Sequence, residues 1–299
     1  MIIPGETEAR LTQQIKNGEV VAFFGAGMAI PPGKDWGRLV EDIARECGVC
    51  IDSHDLKEII DRCIEKDVAR CNEVMRLHLT SDQPVTRTAL VHASKLPFKA
   101  ILTTNFDPWL RQSFDRKHFP SCFRYPDLPL NRGVEGGIYY LHGFFDSSDP
   151  SSSIEDLVFG ARSFDRAYKE SILSGFLLQV FTYEKILFIG FDPTEENVAG
   201  LISRSHRIRA QILRQTASHQ PAERQNRHFA LWAQPVSEPQ EWAVREMQKV
   251  IEIGNLGLDA VLYERRSDDY RELEEVLRAW REKLSTVEMQ TPPFSSGFG

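Results

Sequence analysis

Four short apolar runs in this sequence each end at residue types that could do chemistry. The runs cover residues 20–24, 100–104, 138–141 and 186–189, and the residues that follow or close them are Gly25, Ala26, Gly27, Asn105, Asp107, His142, Gly190 and Asp192. Small residues let a backbone approach a pyrophosphate closely, and free N–H groups at a helix start attract it. Amide and carboxylate side chains can hold ribose or carboxamide groups, and an imidazole can move a proton near neutral pH. The set predicts a dinucleotide-type site.

The glycine turn by itself is a weak signal. The third glycine of a G-x-G-x-x-G motif is missing, because position 30 is Ile. No acidic residue ends a second strand about 20 residues later, as a nicotinamide-dependent reductase requires. These departures argue against a hydride-transferring dehydrogenase. The alternative for the turn alone is a tight strand-to-helix connection that binds no ligand.

The apolar runs have the length and composition of buried strands. Each has four or five residues rich in Val, Ile, Phe and Tyr, which is typical of parallel strands covered on both faces. Residues 229–232 and 260–263 predict two further strands. Helical patterns lie between the strands, at 6–16, 36–47, 55–79, 163–183, 195–215, 238–253 and 268–284. This alternation predicts an α/β, Rossmann-like fold, with a mostly parallel sheet and helices on both faces.

One domain is expected over residues 1–290. About 75 residues separate the first strand from the second, which is too long for a simple crossover. Residues 50–97 are therefore predicted to form a small helical insertion layer beside the sheet. A polar loop at 146–153 follows His142, and the sequence leaves open whether it closes over the site. The Pro/Gly/Ser-rich residues 291–299 predict a flexible tail.

Composition excludes several classes of protein. The 299 residues are 41% apolar and carry a formal net charge of −7, which disfavours direct nucleic-acid binding and anionic membrane surfaces. No apolar run approaches the ~20 residues of a membrane span, and the first residues lack a signal-peptide pattern. Five cysteines, an odd number, favour a reducing, cytoplasmic location. No metal is expected, because the spacing of Cys47, Cys50, Cys63 and Cys71 favours buried thiols over a zinc site.

Taken together, the four turns resemble the sirtuin-like (Sir2-type) NAD-consuming family. The matching elements are Gly-Ala-Gly, then Thr-Thr-Asn-Phe-Asp, then Leu-His-Gly, then Gly-Phe-Asp, in the family's order and spacing. The segment FFGAGMAIPPGKDWGRLVEDIA also resembles the opening of the family's prokaryotic antiphage branch. The resemblance covers about residues 8–285 and is patchy outside the turns.

The resemblance implies a role for each residue of the set. In the family's pattern, Gly25, Ala26 and Gly27 would cradle the NAD phosphates, and Gly190 with Asp192 would contact the adenosine side. Asn105 would hold the nicotinamide ribose or its attacking water. Asp107 would hydrogen-bond the carboxamide or fix the loop, and His142 would be the general base. NAD would be a substrate rather than a resident cofactor.

Ordinary structural roles stand beside three of these assignments. His142 could be a core histidine, although its place at a strand end favours function. Asn105 could cap a helix, with Asp107 in the first turn. Asp192, followed by Pro193, fits a helix start as well as it fits a site.

The sequence departs from the histone-deacylating sirtuins in one respect that bears on activity. Those enzymes carry a zinc ribbon of two Cys-x-x-Cys pairs downstream of the histidine, and no cysteine follows His142 here. The resemblance therefore favours NAD hydrolysis, in an antiphage effector that depletes cellular NAD, over protein deacylation or ADP-ribosyl transfer. A catalytically silent sensor that binds NAD or ADP-ribose is the non-enzyme alternative. Control by homo-oligomerisation, or by a partner such as a HerA-type ATPase or a short Argonaute, is expected.

Overall fold

The computed structural model describes most of the chain. The described residues are 4–28, 36–79, 88–130, 133–134, 136–169, 172–215, 228–235, 240–266 and 271–288. The predicted tail at 291–299 lies outside them, as does part of the 50–97 segment. Within the described helices, no stretch is both long and apolar enough to cross a membrane.

The described residues form a seven-stranded parallel sheet with helices on both faces. The strands are β1 (Val20–Phe24), β2 (Ala100–Thr103), β3 (Ser121–Arg124), β4 (Gly137–Tyr140), β5 (Lys185–Ile189), β6 (Phe229–Pro235) and β7 (Asp259–Arg265). The helices are α1 (Pro4–Lys16), α2 (Trp36–Cys47), α3 (Leu56–Leu79), α4 (Thr88–Ala93), α5 (Trp109–Ser113), α6 (Ala161–Lys169), α7 (Ile172–Tyr183), α8 (Glu196–Gln215), α9 (Gln240–Asn255) and α10 (Arg271–Glu288). The Rossmann-like α/β fold predicted from the sequence is confirmed.

Alternation along β1 shows why the strands read as continuous apolar runs. Val20, Ala22 and Phe24 pack in one core with residues of α1, α4, α5 and α10. Val21 and Phe23 pack in a second core, on the other face, with α6, α7, α8 and α9. Since both faces are covered, successive side chains are all buried and the two-residue period leaves no polar positions.

The helix expected over 163–183 corresponds in the described residues to α6 and α7, and residues 170–171 between them lie outside the described part of the chain. Strand β3 was not predicted from the sequence. It lies at the edge of the sheet, and its side chains are only partly buried, so it lacks an apolar run.

A separate helical layer contains α2 and α3. Their buried side chains form a third core together with Phe145, Ile154, Leu157 and Phe159, which belong to the segment that follows β4. Helix α3 lies in the segment 50–97, which the sequence indicated as helical. The assignment of that segment as an insertion in a 1–290 domain stays a prediction.

Strand order places a ligand crevice at β1 and β5. The order is β3-β4-β2-β1-β5-β6-β7, and each strand runs parallel to its neighbours. Strands β2, β4 and β3 lie on one side of β1, and the chain then crosses to β5 on the other side. Such a reversal leaves an open crevice at the carboxyl ends of the two strands.

Candidate active site

The glycine turn after β1 and the glycine after β5 pack directly against each other at this crevice. The Gly27 N–H donates to the Gly190 carbonyl at 2.9 Å, and the Gly25 N–H donates to the Ile189 carbonyl at 3.1 Å. A Cβ on Gly25 would lie 2.4 Å from the Gly190 oxygen, and Gly190 has φ +63°. Backbone this close, with a positive φ, requires glycine.

Asn105 joins the β2 turn to this glycine pair. Its side-chain Nδ2 donates to the Gly25 carbonyl at 3.0 Å, and its backbone N–H donates to Thr103 Oγ1 at 3.0 Å. The residue is buried, with 7% of its surface exposed. In the described part of the chain, its Oδ1 has no hydrogen-bond partner. Asn105 can therefore offer Oδ1 as an acceptor to a ligand while its amide nitrogen stays bonded to the glycine turn at Gly25.

Asp107 closes the same turn. Its Oδ1 accepts a hydrogen bond from the Trp109 N–H at 2.9 Å, at the start of α5. This contact matches the loop-fixing alternative named for Asp107. The carboxyl group also lines the cavity, so the structure leaves the carboxamide role as a prediction.

His142 lies two residues after the end of β4 and is 8% exposed. Its Nε2 is 2.8 Å from the hydroxyl of Tyr168, and its ring meets the Phe164 ring edge-on at 5.1 Å between centroids. Burial, with a smaller contribution from the positive charge of Lys57, lowers the pKa of His142 from 6.5 to about 3. The imidazole is therefore neutral at physiological pH and carries a lone pair on one ring nitrogen.

The lowered pKa of His142 predicts acid sensitivity of the fold. The pKa is about 3 in the folded protein and about 6.5 in the unfolded chain, so between these values only the unfolded chain binds the proton. Stability is therefore lost as the pH falls below about 6.5, by up to ~1.4 kcal/mol per pH unit from this group. We expect His142→Gln to flatten the dependence of the unfolding free energy on pH between about 6.5 and 4.5. Urea unfolding at several pH values measures it.

The control for this measurement is His118→Gln, because 79% of the His118 side chain is exposed. It should leave the slope of the wild type unchanged. Equal slopes for the wild type and His142→Gln would contradict the assigned burial of a neutral imidazole.

Asp192 lies in the turn that precedes α8, and its site role stays a prediction. Its Oδ1 accepts from the N–H and the hydroxyl of Thr194, at 2.9 and 2.6 Å, just before α8. Its Oδ2 is 3.2 Å from Lys249 Nζ. The side chain is 41% exposed and lines the cavity, where a carboxylate could accept from ribose hydroxyls.

One cavity of about 590 Å³ collects most of the predicted site residues. Six of the eight line it: Ala26, Asn105, Asp107, His142, Gly190 and Asp192. Gly25 and Gly27 do not line the cavity, but they contact lining residues: Gly25 bonds to Asn105, and Gly27 bonds to Gly190. The structure thus brings the set together, and the binding and catalytic role of each residue stays a prediction.

The rest of the cavity wall was not predicted from the sequence. The helical layer and α6 add Trp36, Leu39, Lys57, His78, Leu79, Phe164 and Tyr168. The other added residues are Thr104, Phe106, Trp109, Phe191 and, just before α8, Glu195. Lys57 Nζ lies 4.0 Å from the centre of the Phe164 ring. A helical pattern predicts which residues are buried but not which of them face a ligand, so no local signal identified these side chains.

The loop at 146–153 does not line this cavity. The Arg76 guanidinium of α3 donates to the carbonyls of Pro150 and Ser152, at 3.0 and 3.1 Å. This loop is therefore tied to the helical layer rather than placed over His142.

The cysteines pack as thiols. Cys47 and Cys71 are buried with their sulfurs 3.5 Å apart, and burial raises the pKa of the nearby Cys63 thiol to about 11. Cys50 is exposed, so the expectation of buried thiols is wrong for that residue. Across the described ranges, no cluster of three or more His, Cys, Asp or Glu side chains could hold a metal ion.

The parallel sheet and the cavity at its reversal point define a Rossmann-like α/β protein. A model of the SIR2-like domain matches residues 99–250, about half of the chain, and the chain belongs to this family. The matched segment includes Asn105, His142 and Asp192 but not the glycine turn after β1. Membership of the family connects the chain with NAD-related activity and with NAD-dependent enzymes.

Two further comparisons complete the picture. A solved structure described as "Structural Basis for the Mechanism and Regulation of Sir2 Enzymes" aligns with 94% of this chain and 98% of its own, at 11% identity and a TM-score of 0.46. No curated protein sequence gives a significant match to this chain.

Proposed function

We propose that this protein is an NAD hydrolase that cleaves NAD to nicotinamide and ADP-ribose. The observation that carries the proposal is the cavity at the β1/β5 crevice, which is lined by His142, Asn105 and Ala26 of the glycine turn. An imidazole, an amide and a glycine cradle in one cavity are the groups needed to bind a dinucleotide and to activate water next to it.

The proposed reaction breaks the bond between the nicotinamide nitrogen and C1′ of the ribose. The bonding electrons leave with nicotinamide, which becomes neutral, so no acid is needed for the leaving group. Water forms the new bond to C1′, and its proton passes to His142. A transition state of this kind resembles an oxocarbenium ion. Because a cation is attacked, water needs little prior deprotonation, and a neutral His142 accepts the proton as the bond to C1′ forms.

Positioning and exclusion of water supply the remaining catalysis. Trp36, Phe106 and Trp109 line the cavity with apolar surface. Such surface would exclude bulk water from the cation and strengthen each polar contact within the site. Asn105, fixed to the Gly25 carbonyl through Nδ2, would present Oδ1 to the ribose or to the attacking water.

The absence of cysteine downstream of His142 favours hydrolysis over protein deacylation. We extend the proposal to a cytoplasmic antiphage effector that depletes NAD, supported by the resemblance of residues 23–44. Because unregulated NAD depletion would be toxic, control through a second copy of this chain or a partner subunit is part of the proposal.

The test is product analysis with purified protein and NAD, with and without an acylated peptide. We expect nicotinamide and ADP-ribose in equal amounts, formed whether or not peptide is present. Asn105→Ala should lower the rate by about a factor of 100, because a misplaced substrate loses the benefit of orientation. The matched control is Asn17→Ala, since Asn17 is exposed at the end of α1 and does not line the cavity.

The other outcomes identify the alternatives. Turnover that requires the peptide would indicate a deacylase, and ADP-ribose attached to a protein would indicate a transferase. NAD binding without turnover, in the isolated protein and with candidate partners added, would indicate a sensor. Unchanged turnover in Asn105→Ala would remove the role assigned to this residue.

A further inference from the structure

Tyr168 is the one hydrogen-bond partner that the structure gives the His142 ring in the described part of the chain. Its hydroxyl oxygen lies 2.8 Å from His142 Nε2, while Nδ1 has no partner among the described residues. Both side chains line the cavity. Burial raises the pKa of the Tyr168 hydroxyl, so the group stays protonated and can either donate or accept.

The direction of this hydrogen bond decides what His142 can do. A neutral imidazole carries a proton on one nitrogen and a lone pair on the other. If Tyr168 donates to Nε2, the proton of the ring is on Nδ1, and His142 has no lone pair left for a substrate. If Tyr168 accepts from Nε2–H, the lone pair is on Nδ1, and this nitrogen can act as a base.

We propose that Tyr168 is a positioning residue that accepts the hydrogen bond from His142 Nε2–H and thereby leaves Nδ1 as the basic nitrogen. In this arrangement the hydroxyl hydrogen of Tyr168 points away from the imidazole. The carboxylate of Glu195 lines the same cavity and acts electrostatically on Tyr168, so a negative group is present to favour that orientation. The catalytic consequence rests on the proposed function, but the direction of the hydrogen bond does not.

The helical layer fixes the position of Tyr168 through one face of α3. Three residues spaced four apart, Lys57, Asp61 and Glu65, all contact α6. Residues at this spacing share one face of a helix. Asp61 Oδ2 accepts from the Arg162 N–H at 3.0 Å, in the first turn of α6, and Glu65 forms an ion pair with the Arg162 side chain.

The third contact of this face reaches the aromatic pair on α6. Lys57 Nζ lies over the Phe164 ring, and Phe164 stacks on Tyr168 with ring centroids 5.9 Å apart and planes 13° apart. Gly160 precedes α6, and a Cβ there would lie 2.0 Å from Asp61 Oδ1, so a larger residue would displace the Asp61 side chain from its present position. The Tyr168 hydroxyl is thus held in place by packing that begins on α3.

The test compares Tyr168→Phe with Tyr183→Phe. Tyr183 is 71% exposed at the end of α7, so its variant controls for the loss of a hydroxyl elsewhere. In Tyr168→Phe we expect kcat for NAD to fall about three- to tenfold, the effect of losing one hydrogen bond, while KM changes less than about twofold. Tyr183→Phe should match the wild type, and thermal unfolding of both variants checks that they fold.

Nitrogen NMR of His142 in the substrate-free protein supplies a readout that is independent of activity. We expect the wild type to show a protonated Nε2 and an unprotonated Nδ1, and Tyr168→Phe to show a mixture of the two tautomers. A protonated Nδ1 in the wild type overturns the proposal, and so does an unchanged kcat in Tyr168→Phe. If the wild type does not hydrolyse NAD either alone or with candidate partners added, the proposed function fails, and the NMR result alone decides the hydrogen bond.

Discussion

Replacing His142 with alanine is expected to lower kcat for NAD hydrolysis by a factor of about 100 to 10,000, the usual range for loss of a general base. The imidazole is buried near the end of β4. Among the described residues that line the cavity, the other histidine is His78. His78 Nε2 is already 2.8 Å from Asp42 Oδ2. His142→Ala is expected to keep a residual rate of NAD hydrolysis, because the glycine turn and Asn105 would still orient the substrate, and orientation lowers the barrier without a base.

Steady-state kinetics on NAD, with nicotinamide release as the signal, measures this effect. His118→Ala is the control, since its side chain is largely exposed and forms its ion pair with the nearby Asp115. We expect NAD binding by His142→Ala to stay within a few-fold of the wild type, measured by calorimetry. Turnover equal to the wild type would show that another group, or unassisted water, completes the reaction.

Replacing Gly190 with alanine is expected to lower the free energy of unfolding by about 2–5 kcal/mol. Part of this cost, about 1–2 kcal/mol, comes from placing a side chain at φ +63°. The rest comes from overpacking, because the new Cβ would lie 2.7 Å from the Met28 nitrogen and 2.8 Å from the Gly27 carbonyl carbon. These neighbours are backbone atoms of the glycine turn that follows β1, so the clash can be removed only if the backbone of that turn moves.

Gly200→Ala is the matched control for this substitution. Gly200 lies inside α8, and a Cβ there meets nothing within 4 Å. Alanine should stabilise that helix by about 0.5–1 kcal/mol. Urea unfolding measures both variants, and KM for NAD should rise in Gly190→Ala alone. An unchanged stability in Gly190→Ala would contradict the close contact between the two glycine turns.

Most of the fold could be predicted because its signals are local. Strand β1 is buried on both faces, so VVAFF reads as a continuous apolar run, and β5 has the same character. Strand β3 gave no such run, because Ser121–Arg124 is an edge strand with partly exposed side chains.

The predicted part of the site follows from one geometric rule. Parallel strands end at the same edge of a sheet, so the residues that follow β1, β2, β4 and β5 had to lie near one another. This rule needs only the strand assignments and the residue types at the turns. It identified Asn105 and His142 as neighbours of one cavity without any knowledge of the helices that cover it.

The sequence by itself determined the class of fold, the glycine turns and the polar residues at the strand ends, because each depends on local composition and on the parallel arrangement. Only the tertiary structure decided that Tyr168 contacts His142, and that Lys57 of α3 reaches the ring of Phe164 on α6. These contacts join helices that are distant in the chain, and packing between layers sets them. A helical pattern specifies a buried face, but the partner of that face depends on how the whole chain folds.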